Sequence, residues 1–141
     1  MIEYKKNDTI SFEEILPIYE AVGWTNYTTN PSMLQNALKH SLFLISARDE
    51  EGKLIGFLRA VGDGYSIVYI QDIIVLPEYQ RQGIGTQLLR QTMGHFKEVY
   101  QIILTTDSEL KTIAFYEANG FTALSKYDCT SFMANPIFEA K

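Results

Sequence analysis

The segment Gln80-Arg81-Gln82-Gly83-Ile84-Gly85-Thr86 holds the residue types from which a backbone anion cradle is made. It follows a predicted strand, Tyr65 to Leu76, which Pro77 ends. It precedes Ile84, Leu88, Leu89, Met93 and Phe96, apolar residues recurring as on one face of a helix. A strand therefore turns into a helix here. The first four amides of a helix have no intrahelical partner, and the dipole places partial positive charge on them. Glycines at 83 and 85 let a diphosphate come close to that backbone, Arg81 adds a cation and Thr86 a hydroxyl donor. The segment lacks the Gly-Lys-Ser/Thr ending of a nucleoside-triphosphate loop and the third glycine of a dinucleotide fingerprint. Taken alone, it also fits a strand-to-helix turn whose glycines serve only backbone geometry.

The elements around this turn follow from the period of the apolar residues. Residues 2–5 read as a short strand. Phe12, Ile15, Leu16 and Tyr19 give a helix from Ser11, its N-cap, to Val22, with Pro17 expected to kink or split it and Gly23 to end it. Trp24 to Asn30 reads as an aromatic-bearing loop, and Pro31-Ser32 opens a second helix with the stripe Met33, Leu34, Ala37 and Leu38. Leu42 to Ala47, Leu54 to Val61 and Tyr65 to Leu76 form an antiparallel meander, turning at Asp49 to Lys53 and at Gly62-Asp63-Gly64. After the third helix comes a strand, Val99 to Thr106. A helix capped by Ser108 then runs to Asn119 and stops at Gly120, with final short strands at Phe121 to Leu124 and Cys129 to Met133. A meander leading into β-α-β-α implies a mixed sheet with helices on both faces.

The length of 141 residues suits one domain, 1–141, with a core that needs no staples. The one cysteine, Cys129, excludes an internal disulfide and reads as a buried structural residue; no base partner for an acyl-enzyme lies near it in the sequence. His40 and His95 lack nearby ligand partners, so no metal site is expected, and His95 can complement a helix C-terminus. The start of the chain carries no signal-peptide pattern, and no window approaches the roughly 20 apolar residues that span a bilayer, so a cytoplasmic protein away from membranes is expected. A net charge of −5 gives no basic footprint for nucleic acid, and mildly favours a cationic substrate through steering.

Ile73-Ile74-Val75-Leu76-Pro77-Glu78-Tyr79-Gln80-Arg81-Gln82-Gly83-Ile84-Gly85 resembles the acetyl-CoA motif of the GNAT superfamily of N-acetyltransferases, Gln/Arg-x-x-Gly-x-Gly/Ala placed directly after the fourth strand. Downstream, Ala114-Phe115-Tyr116-Glu117-Ala118-Asn119-Gly120-Phe121 is similar to the family's Phe-Tyr-x-x-x-Gly-Phe segment. The order of elements matches the family over nearly the whole chain. The resemblance implies an α+β fold, the acyl-CoA N-acyltransferase fold: three layers, α/β/α, with a mixed, mostly antiparallel central sheet splayed between strands 4 and 5. It also implies acetyl-CoA as acetyl donor, direct attack by a primary amine within a ternary complex, and the homodimers frequent among relatives. A small-molecule amine is the expected acceptor, such as a polyamine, an aralkylamine, an aminoglycoside or an amino acid. A protein or peptide acetyltransferase and a silent acetyl-CoA-binding module are the alternatives.

Carried onto this chain, the resemblance assigns the backbone of Ile74 and Val75 to the pantetheine arm. The turn from Gln80 through Arg81, Gln82, Gly83, Ile84 and Gly85 to Thr86 would bind the pyrophosphate. Tyr116 aligns with the family's tyrosine and becomes the candidate acid for the leaving thiolate, or a residue that packs on the coenzyme; a phenol near pKa 10 is protonated at neutral pH. Asp72 shares a strand face with Ile74 and would be a general base if that face lines the splay, or else a structural carboxylate or an anchor for a cationic substrate. Trp24 and Tyr27 lie in the loop that often caps the acceptor site in this family, and would hold the amine by stacking or cation–π contact, or anchor the loop to the core. Tyr127 and Phe132 carry the same two readings. Glu109 stands where many members have an asparagine that contacts the coenzyme or an ordered water; Ser108 would replace that contact, or it is missing.

Overall fold

A computed structural model describes residues 1–134. They fall into two compact units, Met1–Thr105 and the residues from Thr106 onward. The first unit carries strands β1 (Glu3–Lys6), β2 (Phe43–Arg48), β3 (Leu54–Gly62), β4 (Ile67–Val75) and β5 (Gln101–Leu104), and helices α1 (Phe12–Ala21), α2 (Thr25–Thr28), α3 (Pro31–Lys39) and α4 (Ile84–His95). The second carries helix α5 (Leu110–Ala118) and a 3-10 turn, Leu124–Tyr127.

Helix α1 begins where Ser11 Oγ accepts the Glu14 amide at 3.2 Å, and it buries Ile15, Ile18 and Tyr19 on one face. Pro17 does not split it. The residue is exposed, so the Glu13 carbonyl that loses its helical partner is on the water side and can be hydrated. Residues 24–30 are not a plain loop, because Thr25–Thr28 make one helical turn between α1 and α3. Asn30 caps α3 through its side chain, with Pro31 in the first turn.

The strands lie in sequence order, antiparallel from β1 to β4, with β5 parallel to β4. Every residue of β3 from Leu54 to Ala60 is buried, so both faces of the sheet are covered. Phe57 on one face meets the ring of Tyr19 from α1 at 5.5 Å. Phe43, opposite Ala60 and thus on the other face, meets His95 and Phe96 at the end of α4, at 4.8 and 5.1 Å. Helices therefore flank a mixed, mostly antiparallel sheet on both sides, as the GNAT-like fold requires.

Strand β4 is irregular along both of its edges. Asp72 pairs with Arg59 but Ile70 with Ala60, which leaves Gln71 as the extra residue of a β-bulge. On the opposite edge, pairing with β5 covers only Ile67 to Ile70. From the bulge to Val75, that edge of β4 has no strand partner among the described residues. This is the splay between strands 4 and 5.

In the second unit, α5 ends as expected. Gly120, at φ +90°, bonds its amide to the Glu117 carbonyl, and Phe121 bonds back to Tyr116 at 3.0 Å. Its start differs: Glu109, not Ser108, holds the cap position, while Asp107 Oδ1 accepts the Glu109 amide at 2.9 Å. The two expected terminal strands do not form. Phe121–Leu124 leads into the 3-10 turn, whose cap Asp128 sits at φ +58°, a conformation no strand contains, and Cys129–Met133 is irregular. Cys129, expected to be buried, is exposed.

Candidate active site at the splay of strands 4 and 5

The Leu76 amide donates to the Ile55 carbonyl at 2.9 Å, which fixes the phase of β4 against β3. Alternation then turns the backbone of Ile74 toward β3 and the backbones of Ile73 and Val75 toward the open edge. The Val75 carbonyl accepts from Gln80 Nε2 at 3.0 Å, as an outward-facing group can. Ile74, assigned by resemblance to hold an arm in the gap, offers no backbone group there; its neighbour Ile73 does, alongside Val75. Sequence motifs cannot fix this phase, because it depends on which β3 residue each β4 residue meets.

The turn beyond Val75 is shaped by two positive φ values, Arg81 at 66° and Gly83 at 80°. Gly83 is the N-cap of α4, and no side chain caps the helix. A Cβ at Gly83 would meet nothing within 4 Å, so within the protein glycine is favoured for conformation and not for space. Among the described residues, the six consecutive amides from Arg81 to Thr86 donate to no protein acceptor; the next one, Gln87, is the first to bond within the helix, to the Gly83 carbonyl. Arg81, Gln82 and Gly83 are exposed. This is a row of polarised donors at a helix N-terminus, suited to the oxygens of a diphosphate.

Asp72 is nearly fully buried, at 2% exposure, as is Arg59 at 3%. Arg59 Nε donates to Asp72 Oδ2 at 2.8 Å, Tyr19 donates its hydroxyl to the same oxygen at 2.5 Å, and Tyr27 donates to Oδ1 at 3.2 Å. Arg59 further reaches Ser41 Oγ and the Tyr27 oxygen, which also accepts from Gln71 Nε2 at 3.3 Å. The bulge thus turns Gln71 and Asp72, adjacent in sequence, toward one phenol. Burial works against the charge on Arg59, but the charge and hydrogen bond of Asp72 outweigh it and hold the guanidinium above its ordinary range. Burial and the adjacent carboxylate push both phenols, Tyr19 and Tyr27, upward, so both remain donors at neutral pH. The motifs of the sequence do not single out Arg59. Its signal is a lone arginine inside the apolar run Leu54 to Val61, which demands a buried carboxylate partner.

Trp24 and Tyr27 form the outer part of an aromatic trio with Tyr19. Centroids lie 4.6 Å apart for Tyr19 and Tyr27, 6.0 Å for Tyr19 and Trp24, and 6.3 Å for Trp24 and Tyr27, the last pair stacked at 29°. Trp24 is 38% exposed. On β4, the Tyr69 hydroxyl bonds Thr105, just past β5 where the strands part. In the second unit, Tyr116 packs edge-on against Phe115 and Phe121, and burial followed by the charge of Asp107 pushes its phenol up to about 12. Glu109 is exposed, and so is Ser108. His40 Nδ1 lies 2.8 Å from the Asn36 carbonyl, and among the described residues no cluster of His, Cys, Asp and Glu could hold a metal ion. No helix there is long and apolar enough to cross a membrane.

A sheet opened beside a strand-to-helix turn of free amides is the arrangement expected of an acyl-CoA-dependent enzyme. Comparison with known proteins agrees: residues 10–121 match the Acetyltransferase (GNAT) family, and the chain belongs to it. Acetyl transfer is the activity of that family, which uses acetyl-CoA as its donor. A GNAT-family acetyltransferase from Streptococcus pneumoniae is 47% identical, with a TM-score of 0.86 over 95% of this chain and 97% of that one. An uncharacterized N-acetyltransferase, ycf52, from Pyropia yezoensis is 28% identical over 85% of this chain and 72% of its own length. A structure of AAC(6')-Iy with the bisubstrate analog CoA-S-monomethyl-acetylneamine shares the fold, at 18% identity, with a TM-score of 0.70 over 95% of this chain and 97% of that one.

Proposed function

We propose that this acetyltransferase moves the acetyl group of acetyl-CoA to the primary amine of a small molecule, by direct attack within a ternary complex. The observation that carries the donor side is the run of six free amides from Arg81 to Thr86, continuous with the outward backbone of Val75 and Ile73. The amides, with Arg81 and Thr86, hold the pyrophosphate; the strand edge bonds the pantetheine as a missing β5 partner would. When bound, acetyl-CoA supplies the activated thioester. Direct attack is favoured over an acyl-enzyme, because among the described residues the Cys129 thiol bonds only the Tyr127 carbonyl and is hydrogen-bonded to no base.

Asp72 anchors the site and is not its base. Three donors already hold its two oxygens, and taking a proton would strand the buried Arg59 charge. The amine then loses its proton to water, and the rate follows the amine's own free-base fraction. Tyr116 serves as hydrogen-bond donor to the departing sulfur; at about 12 its phenol is too weak an acid to transfer its proton fully to a thiolate near 8.5. The family match crosses the boundary between the two units, which supports one catalytic domain over 1–141. A cytoplasmic location and a homodimer complete the reading.

Calorimetric titration with acetyl-CoA, ATP and NAD tests the donor side: acetyl-CoA alone should bind. Coenzyme A release on adding amines then tests transfer. A nucleotide that binds in place of acetyl-CoA refutes the cradle assignment, and acetylation of peptides alone refutes the small-molecule acceptor.

A further inference from the structure

Charged residues make up 21% of the chain, yet from Ala21 to Leu38 there is no Asp, Glu, Lys, Arg or His. That segment contains all of α2 and most of α3. It is fastened to β4 at the bulge, where Tyr27 meets Gln71 and Asp72 and the strands part. An acceptor approaching the open edge from this face meets an uncharged wall of Trp24, the Tyr27 ring and the Gln71 amide. Asp72, the carboxylate that Tyr27 reaches, is buried, neutralised by Arg59 and covered by two phenols. A second ammonium on the acceptor finds no counter-charge on this wall, and a cationic peptide finds no acidic track. A flat apolar body, by contrast, finds the stacked pair Trp24 and Tyr27, with Trp24 partly open to solvent.

We infer that the acceptor is a monoamine with an aromatic or apolar body, and that Trp24 and Tyr27 select it against polyamines and basic peptides. This rests on the acetyl-transfer reading and narrows it. The −5 of the chain steers a cationic amine toward the protein, and the segment beside the splay carries none of that charge.

Trp24 is the only tryptophan of the chain, so its fluorescence reports the site without catalysis. The experiment titrates the full-length protein, saturated with unacetylated coenzyme A, with phenethylamine, butylamine, spermidine and a lysine-rich peptide. The same four are then assayed as acceptors with acetyl-CoA. Phenethylamine should change Trp24 emission saturably, and its kcat/KM should exceed that of spermidine by about tenfold or more, the scale of one well-made aromatic contact. Trp24→Ala should remove most of that preference while the KM for acetyl-CoA stays within about twofold. Spermidine or the peptide giving the larger response in either assay overturns the inference, as does an aromatic preference that survives in Trp24→Ala, or no emission change with any amine. A saturable response to phenethylamine without coenzyme A release leaves the pocket standing and refutes the transfer reading instead.

Discussion

At the scale of single residues, Gly83 and Tyr116 separate binding from chemistry. Gly83 sits at φ +80° with open space where a side chain would go, so a residue tolerant of the left-handed region should fold there. Gly83→Asn is expected to lower stability by about 1 kcal/mol and weaken acetyl-CoA several-fold. Gly83→Asp has nearly the same shape, but sets a negative charge against the pyrophosphate and should weaken binding at least about tenfold further. Calorimetry on the pair isolates the charge; equal affinities would mean that no phosphate lies there. For Tyr116, whose phenol is pushed up to about 12, the neutral donor persists at every pH below that value. Tyr116→Phe should cut kcat by about tenfold or more with little change in acetyl-CoA affinity, and the loss should be the same from pH 6 to 9, because the phenol does not ionise in that window. A loss that grows or shrinks across that window would return Tyr116 to the role of a titrating acid.

At the scale of elements, the Arg59–Asp72 pair joins β3 to β4, and through Tyr19 and Tyr27 it joins both strands to α1 and α2. Removing one partner leaves a buried charge, so Asp72→Asn should destabilise the protein by about 3–5 kcal/mol, whereas Arg59→Met with Asp72→Leu should recover most of that loss. Denaturant unfolding of the two single variants and the double variant gives the coupling. If Asp72→Asn instead unfolds like the parent and loses a limb of its pH–rate profile, the carboxylate is the base after all. This network shows where sequence reasoning stops. The glycine turn was legible because its requirements are local: an apolar strand before it, helical spacing after it and free amides between. The meander was legible from alternation and turn residues. Pairing across strands is not local. Nothing near Asp72 in the sequence names Arg59, and the bulge at Gln71 exists only as a mismatch between two strands. The terminal strands failed for a related reason, since Phe121 to Leu124 and Cys129 to Met133 have strand composition but, among the described residues, no strand pairs with them.

At the scale of the whole molecule, a ligand that completes β4 should be felt as stability and as a local pattern of protection. At 100 times its dissociation constant, acetyl-CoA adds about 2.7 kcal/mol to unfolding, enough to raise the melting temperature by several degrees. The gain need not spread evenly. Amides at Arg81 to Thr86 have no protein acceptor, and Ile73 and Val75 face the unpaired edge, so these positions should exchange fastest in the free protein and slow most when acetyl-CoA binds. Strands β1 and β2 are paired along their length on the far side of β3 and should change little. Hydrogen exchange with and without acetyl-CoA, at a resolution that separates Ile73 from Ile74, tests the phase of the strand as well as the site. Ile74, bonded toward β3, should be protected in both states. If Ile74 responds and its neighbours do not, the register drawn from the Leu76–Ile55 bond is wrong by one residue, and with it the face on which Asp72 and Tyr27 meet.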